Sequence, residues 1–182
     1  MNCAAIKWAD VANGPGVRVS LFVSGCTRRC PGCFNEEAQD FAYGRPFTRA
    51  DEDEIVRALA PGHIRGLSLL GGEPFEPDNQ RALLPLLRRV RAAYPRKDLW
   101  CYTGYILETE LWRDSRARCE ATDEMLSLID ILVDGPFVQE QKDLNLRFRG
   151  SANQRVLNVP ASIRARTPVL WDGELTVQPI TI

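Results

Sequence analysis

SGCTRRCPGCFN, residues 24–35, places Cys26, Cys30 and Cys33 in a C-x3-C-x2-C spacing directly behind the apolar run VRVSLFV. The passage from apolar segment to polar, glycine-containing turn recurs three times, in IRGLSLLGGEPF, DLWCYTGY and IDILVDGPF. Each reads as a strand delivering a loop. Helix-like stretches lie between them. TRADEDEIVRALA spaces Thr48 and Asp51 as a capping box and puts Ile55, Val56 and Leu59 on one face. DNQRALLPLLRRVRAAY is apolar at Leu83, Leu84, Leu87 and Val90, with Pro85 predicted to kink it or move its start, and ATDEMLSLI precedes the fourth strand. Strand and helix in alternation predict an α/β chain with mostly parallel strands joined by right-handed crossovers. In such folds chemistry gathers at the C-terminal ends of the strands. The three cysteines fall at one such end, and Gly71, Gly72, Glu73, Thr103 and Asp134 fall at others.

The 182 residues are enough to bury a core without staples, so the six cysteines need not be disulfides. The opening MNCAAIKWADVANG lacks the charged and apolar regions of a secretory signal, and no apolar run approaches membrane-spanning length. A soluble, cytoplasmic protein with no membrane partner is expected, in which clustered thiols point to metal or redox chemistry. A net charge of -1 argues against a nucleic-acid binder.

Two thiolate-rich centres compete for the triplet. Structural zinc closes a tetrahedron with four ligands, and this chain offers one triplet without a second C-x2-C; Cys3, Cys101 or Cys119 would have to come from a distance. The lone histidine, His63, reads as an ordinary loop residue. A 4Fe-4S cube normally takes four cysteines. Three would leave one iron open to a small molecule, as a catalytic metal site requires. Arg28 and Arg29 lie between the first two cysteines, where their charge would favour thiolates.

The triplet resembles the signature of the radical S-adenosylmethionine (SAM) enzymes. NGPGVR before the first strand, Asn35 after the third cysteine, GGEP at 71–74, YTGY at 102–105 and LVDGPFVQEQKDLNLRFRGSANQR at 132–155 extend the resemblance to the glycyl-radical-enzyme activases that serve anaerobic (class III) ribonucleotide reductases. It covers roughly residues 6–157. The resemblance implies a partial, open (β/α) barrel of the radical SAM type over 1–157. Residues 158–182 outrun that core as a C-terminal extension, in which Pro160 and Pro168 are expected to interrupt regular structure and WDGELTVQPI reads as a hairpin around Asp172-Gly173, expected to pack on the barrel. A strand count of about five would leave the barrel open at the side to admit a loop of a large partner.

The resemblance also assigns roles. Cys26, Cys30 and Cys33 would ligate one 4Fe-4S cluster, and the amino and carboxylate groups of SAM would take its open iron. Gly32 and Phe34 would meet the adenine beside Cys33. Gly71 and Gly72 would allow close approach to the methionine end, with Glu73 accepting from its ammonium. Asp134 would accept from the ribose hydroxyls, with Thr103 and Gly104 nearby, and Arg155 or Asn153 would reach the carboxylate. No residue is expected to act as a catalytic acid or base, since the cluster and SAM carry the chemistry. The implied product is a glycyl radical on a separate large enzyme, with flavodoxin or ferredoxin as electron donor. The segment Leu144 to Trp171 carries five arginines and no acid, a surface suited to an acidic partner. Two other classes remain open: a small radical SAM enzyme acting on a different protein or peptide, and a non-catalytic iron-sulfur or zinc module.

Overall fold

The computed structural model describes residues 1–173. Its elements, in chain order, are β1 (Asn2–Asp10), β2 (Val17–Val23), β3 (Arg45–Pro46), α1 (Arg49–Ala58), β4 (Ile64–Gly71), α2 (Pro77–Ala93), β5 (Asp98–Tyr102), α3 (Thr122–Leu128), β6 (Ile131–Asp134), β7 (Arg155–Asn158) and α4 (Val159–Ala165). They build one sheet in the order β3-β1-β2-β4-β5-β6-β7, whose two end strands do not pair with each other. The middle is parallel, β2 to β4 to β5 to β6. The flanks are antiparallel, β3 and β1 on one side and β7 on the other.

The four recurring strand-and-turn segments are the four parallel strands. The expectation of about five strands missed the flanks, for a physical reason. β1 is a bulged strand with mostly exposed or half-exposed side chains, and β3 and β7 are two and four residues long, too short for a period to show. The capping box forms as expected: the Thr48 side chain accepts from Asp51 N–H while the Asp51 carboxylate takes Thr48 N–H at 2.7 Å. α2 runs through Pro85. Pro160, read from sequence as a breaker, instead sits in the first turn of α4, where no intrahelical donor is missed; Asn158 caps that turn by accepting from Ala161 N–H at 3.0 Å. The expected hairpin in WDGELTVQPI falls largely outside the described residues.

Strand alternation sorts the sheet into two faces. Val19, Leu21, Val23, Leu67, Leu69, Leu99, Cys101, Leu132 and Leu157 form one core with Ile55, Leu83, Leu87, Val90 and Met125 of the helices. Val159 of α4 belongs to the same core. The opposite, inner face begins at the strand starts with Arg18, which pairs with Asp98 at 2.5 Å and donates to Ser68 Oγ at 2.7 Å, all three buried. Trp100, Ile131 and Val133 continue it, covered by Phe148 and Trp171. Among the described residues no helix is long and apolar enough to cross a membrane.

Candidate functional site at the strand ends

The loops that leave β2, β4, β5 and β6 surround a cavity of about 570 Å³. Cys26, Cys30, Cys33 and Phe34 line it from the first loop, Gly71, Gly72 and Glu73 from the second, Thr103 and Gly104 from the third, and Gly135 from the fourth. The long connection between β6 and β7 closes the far side through Leu144, Leu146, Phe148 and Arg149. All six cysteines are free thiols.

The cysteine loop is shaped by left-handed backbone and tied down by its neighbours. Gly25, Arg29 and Gly32 have φ of 95°, 48° and 69°. A side chain at Gly25 would meet the Phe41 ring, and one at Gly32 the Gln139 carboxamide. Gly25 and Cys26 N–H donate to the carbonyls of Ala38 and Gln39 at 2.8 and 3.0 Å. Thr27 N–H donates to buried Glu76 at 2.8 Å, and Arg28 pairs with Glu110 at 2.7 Å while its guanidinium lies 4.9 Å from the Tyr105 ring centroid. Arg28 lines the cavity beside the three cysteines with its guanidinium held by these two contacts. Burial, reinforced by the Glu73 carboxylate, pushes the Cys26 thiol up to about 11, against backbone N–H groups of Arg29 and Arg28 that favour the thiolate.

These residues fit an iron-sulfur cube. Among the described residues no three His, Cys, Asp or Glu converge tightly enough to hold one ion. A cube presents a separate iron to each thiolate, and Cys26, Cys30 and Cys33 of this loop all line the same cavity.

GGEP locks that loop in place. A Cβ at Gly71, whose φ is 111°, would lie 2.5 Å from Val23 O, and one at Gly72 would lie 2.5 Å from Gly25 O and 2.6 Å from Ala38 O. The close approach expected toward a ligand is thus already made to the backbone of β2 and the cysteine loop. Gly72 N–H donates to Val23 O at 2.7 Å and Glu73 N–H to Gly25 O at 2.8 Å. The Glu73 side chain is 1% exposed and accepts from Phe75 N–H at 2.8 Å and Gly104 N–H at 2.7 Å, binding the second loop to the third. Burial raises its carboxyl to about 7 despite those donors. Thr103 is buried, its hydroxyl accepting from Tyr105 N–H at 3.1 Å.

Two of the expected ligand contacts lie away from the cavity. Gly32 is on the exposed side of its loop. Asp134 shares the helix-facing side of β6 with Leu132, where it accepts from Leu107 N–H at 3.0 Å and pairs with Arg155, its cross-strand neighbour on β7, at 2.5 Å. Arg155 also binds Glu108 at 2.7 Å, and Asn153 donates one amide N–H to Pro136 O at 2.7 Å. The five arginines of 144–171 are dispersed: Arg149 lines the cavity, Arg147 lies over Phe148, Arg155 is ion-paired, and Arg164 and Arg166 end α4. Sequence reading missed Lys7, Phe22, Leu70 and Tyr102. Their signal was strand parity, since Phe22, Leu70 and Tyr102 are the last inner-facing positions of β2, β4 and β5.

A family model described as a 4Fe-4S single cluster domain matches residues 12–157. The chain is 47% identical over 149 residues to the anaerobic ribonucleoside-triphosphate reductase-activating protein of Escherichia coli K12, covering 81% of this chain and 92% of that protein. It is 47% identical over 147 residues to the protein of the same name from Vibrio cholerae, covering 80% and 90%. The same-named protein of Enterobacteria phage T4 is 37% identical over 156 residues, covering 86% and 93%.

Proposed function

The chain belongs to the family of anaerobic ribonucleoside-triphosphate reductase-activating proteins, and from that premise we propose that it is a radical SAM activase whose client is an anaerobic ribonucleotide reductase. The open sheet is read as the partial barrel of that class. Cys26, Cys30 and Cys33 would hold a 4Fe-4S cluster, and three thiolates would leave one iron for SAM. When bound, the cluster and SAM supply a one-electron reductive cleavage and the hydrogen abstraction that leaves a radical on a client glycine. The observation that carries this reading is the meeting of the three thiols with Gly71–Glu73 and Thr103–Gly104 around one cavity at the ends of parallel strands.

The chain's own residues bind, orient and exclude water. Phe34, edge-on to Phe137 at 5.2 Å between centroids, offers the adenine an apolar wall. Glu73 has lone pairs beyond the two that take backbone N–H groups, and these can accept from the methionine ammonium. Thr103 and Gly104 border the same space. Gly32 and Asp134 act from outside it: Gly32 lets the loop turn between two ligands, and Asp134 with Arg155 holds the 107–111 turn against β6 and β7. A cytoplasmic flavodoxin or ferredoxin supplies the electron.

The test is anaerobic reconstitution followed by reduction with SAM and a class III reductase. A glycyl doublet by electron paramagnetic resonance, in yield matching the 5′-deoxyadenosine released, is expected. SAM cleavage without a radical on the reductase would point to another client, and no cleavage with any reductant to a non-catalytic module.

A further inference from the structure

The cavity wall formed by residues 143–150 carries a strained residue. Phe148 has φ of 60°, in the left-handed region that a bulky side chain rarely adopts. Such a conformation costs free energy and persists only where its surroundings hold it. The backbone hydrogen bonds of Asn145 and Leu146 stay within the wall, on Asp143. Phe148 instead packs into the aromatic cluster on the inner face of the sheet. Its ring stands edge-on to Trp100 at 5.4 Å between centroids and lies 6.2 Å from Trp171, which is itself edge-on to Trp100 at 5.1 Å.

Trp171 reaches this place from beyond residue 157, where the matched family model ends. Residues 169–171 run antiparallel along β7, the end strand of the sheet, through a bridge between Leu157 and Leu170. Asn158 N–H donates to Val169 O at 2.9 Å, and Trp171 N–H to Val156 O at 2.8 Å. Trp171 thus stands beside Val156, and both pack on the Trp100 cluster. Resting on the activase reading, we propose that Trp171 is a positioning residue: it wedges Phe148 against Trp100 and so fixes the cavity wall that the client segment carrying the target glycine meets. The wall is assigned to the client because Leu144, which lines the cavity, is also 83% exposed, at the mouth by which a protein segment enters. Without the Trp171 ring, packing no longer offsets the left-handed backbone at Phe148, and the wall loses its set position.

Trp171→Ala in the full chain should open the wall to trypsin. Cleavage after Arg147 and Arg149 is expected to quicken about tenfold, the scale of one aromatic pair, while cleavage after Arg96, exposed at the opposite end of β5, keeps its rate. Trp171→Phe, which keeps a ring, should restore most of the protection. Phe148→Gly, which removes both the ring and the strain, should match Trp171→Ala, and the double variant should be no worse than either. With cluster, SAM and a class III reductase, the KM for the reductase should rise about tenfold in Trp171→Ala, with iron content, SAM affinity and the maximal rate of radical formation little changed. Unchanged cleavage after Arg147 and Arg149 overturns the proposal. So does an equal quickening at Arg96, which would make Trp171 a general core residue, and so does a KM for the reductase that stays at the wild-type value. Wild-type protein that leaves no radical on the reductase would instead sink the activase reading, while the trypsin comparison would still decide whether Trp171 holds the wall.

Discussion

Gly72→Ala isolates the contact that holds the cysteine loop against the sheet. The backbone at Gly72 is not left-handed, so an added methyl acts by collision alone. The new carbon would lie 2.5 Å from Gly25 O and 2.6 Å from Ala38 O, two backbone atoms that no rotamer change can move. Nor can the loop slide away freely, because Gly72 N–H and Glu73 N–H tie it to Val23 O and Gly25 O. Overpacking costs about 1–3 kcal/mol and each weakened hydrogen bond about 1 kcal/mol, so a loss of about 3 kcal/mol is expected. For a chain of this size that lowers Tm by about 6–12 °C. Cluster content and SAM affinity should fall together, since the displaced loop carries the ligands. Gly62→Ala is the matched control: its Cβ would have nothing within 4 Å, and stability should hold. Thermal unfolding of the cofactor-free proteins, iron analysis after reconstitution and SAM titration provide the comparison. A Gly72→Ala protein with wild-type Tm and full iron that loses only SAM binding would refute the reasoning and return Gly72 to direct ligand contact.

Changing Cys26, Cys30 or Cys33 to Ala should abolish cluster absorbance and iron, whereas variants of core residues Cys3 and Cys101, or of Cys119, should retain about four iron per chain; loss of iron in one of the latter would contradict the open-site reading. Burial raises Glu73 from 4.5 to about 7, so between those values the folded chain keeps a proton that the unfolded chain has released. Stability of the cofactor-free protein should therefore fall as pH rises through that window, by up to on the order of 3 kcal/mol, and urea unfolding of Glu73→Gln should show the slope flattened. Arg155→Met leaves Asp134, 1% exposed, without its partner, and should cost about 2–4 kcal/mol in denaturant unfolding. Adding Asp134→Asn should recover part of that loss; no recovery would argue that packing, not charge, is at stake.

Patterns set by near neighbours in the chain were legible in the residues. The cysteine spacing, the capping box of Thr48 and Asp51, and the four strands that run into glycine turns all depend on sterics and hydrogen bonds within a few residues, and the structure brings the three cysteines, Gly71–Glu73 and Thr103 to one cavity. What a residue touches there depended on elements distant in sequence. Asp134 ends a strand at the right height but on the wrong face, and its partner Arg155 comes from β7, a strand too short to announce itself. Gly72 makes a close approach, as a glycine there suggests, but to a loop some fifty residues earlier in the chain (|i−j| = 72 − 25 = 47). Tyr102 lies inside a motif visible in sequence, yet its unpaired hydroxyl exists only because the sheet places Arg18 and Asp10 close by and satisfies them elsewhere. Local chemistry is written in spacing; burial, facing and pairing are sums over long-range contacts, and only the folded sheet decides them.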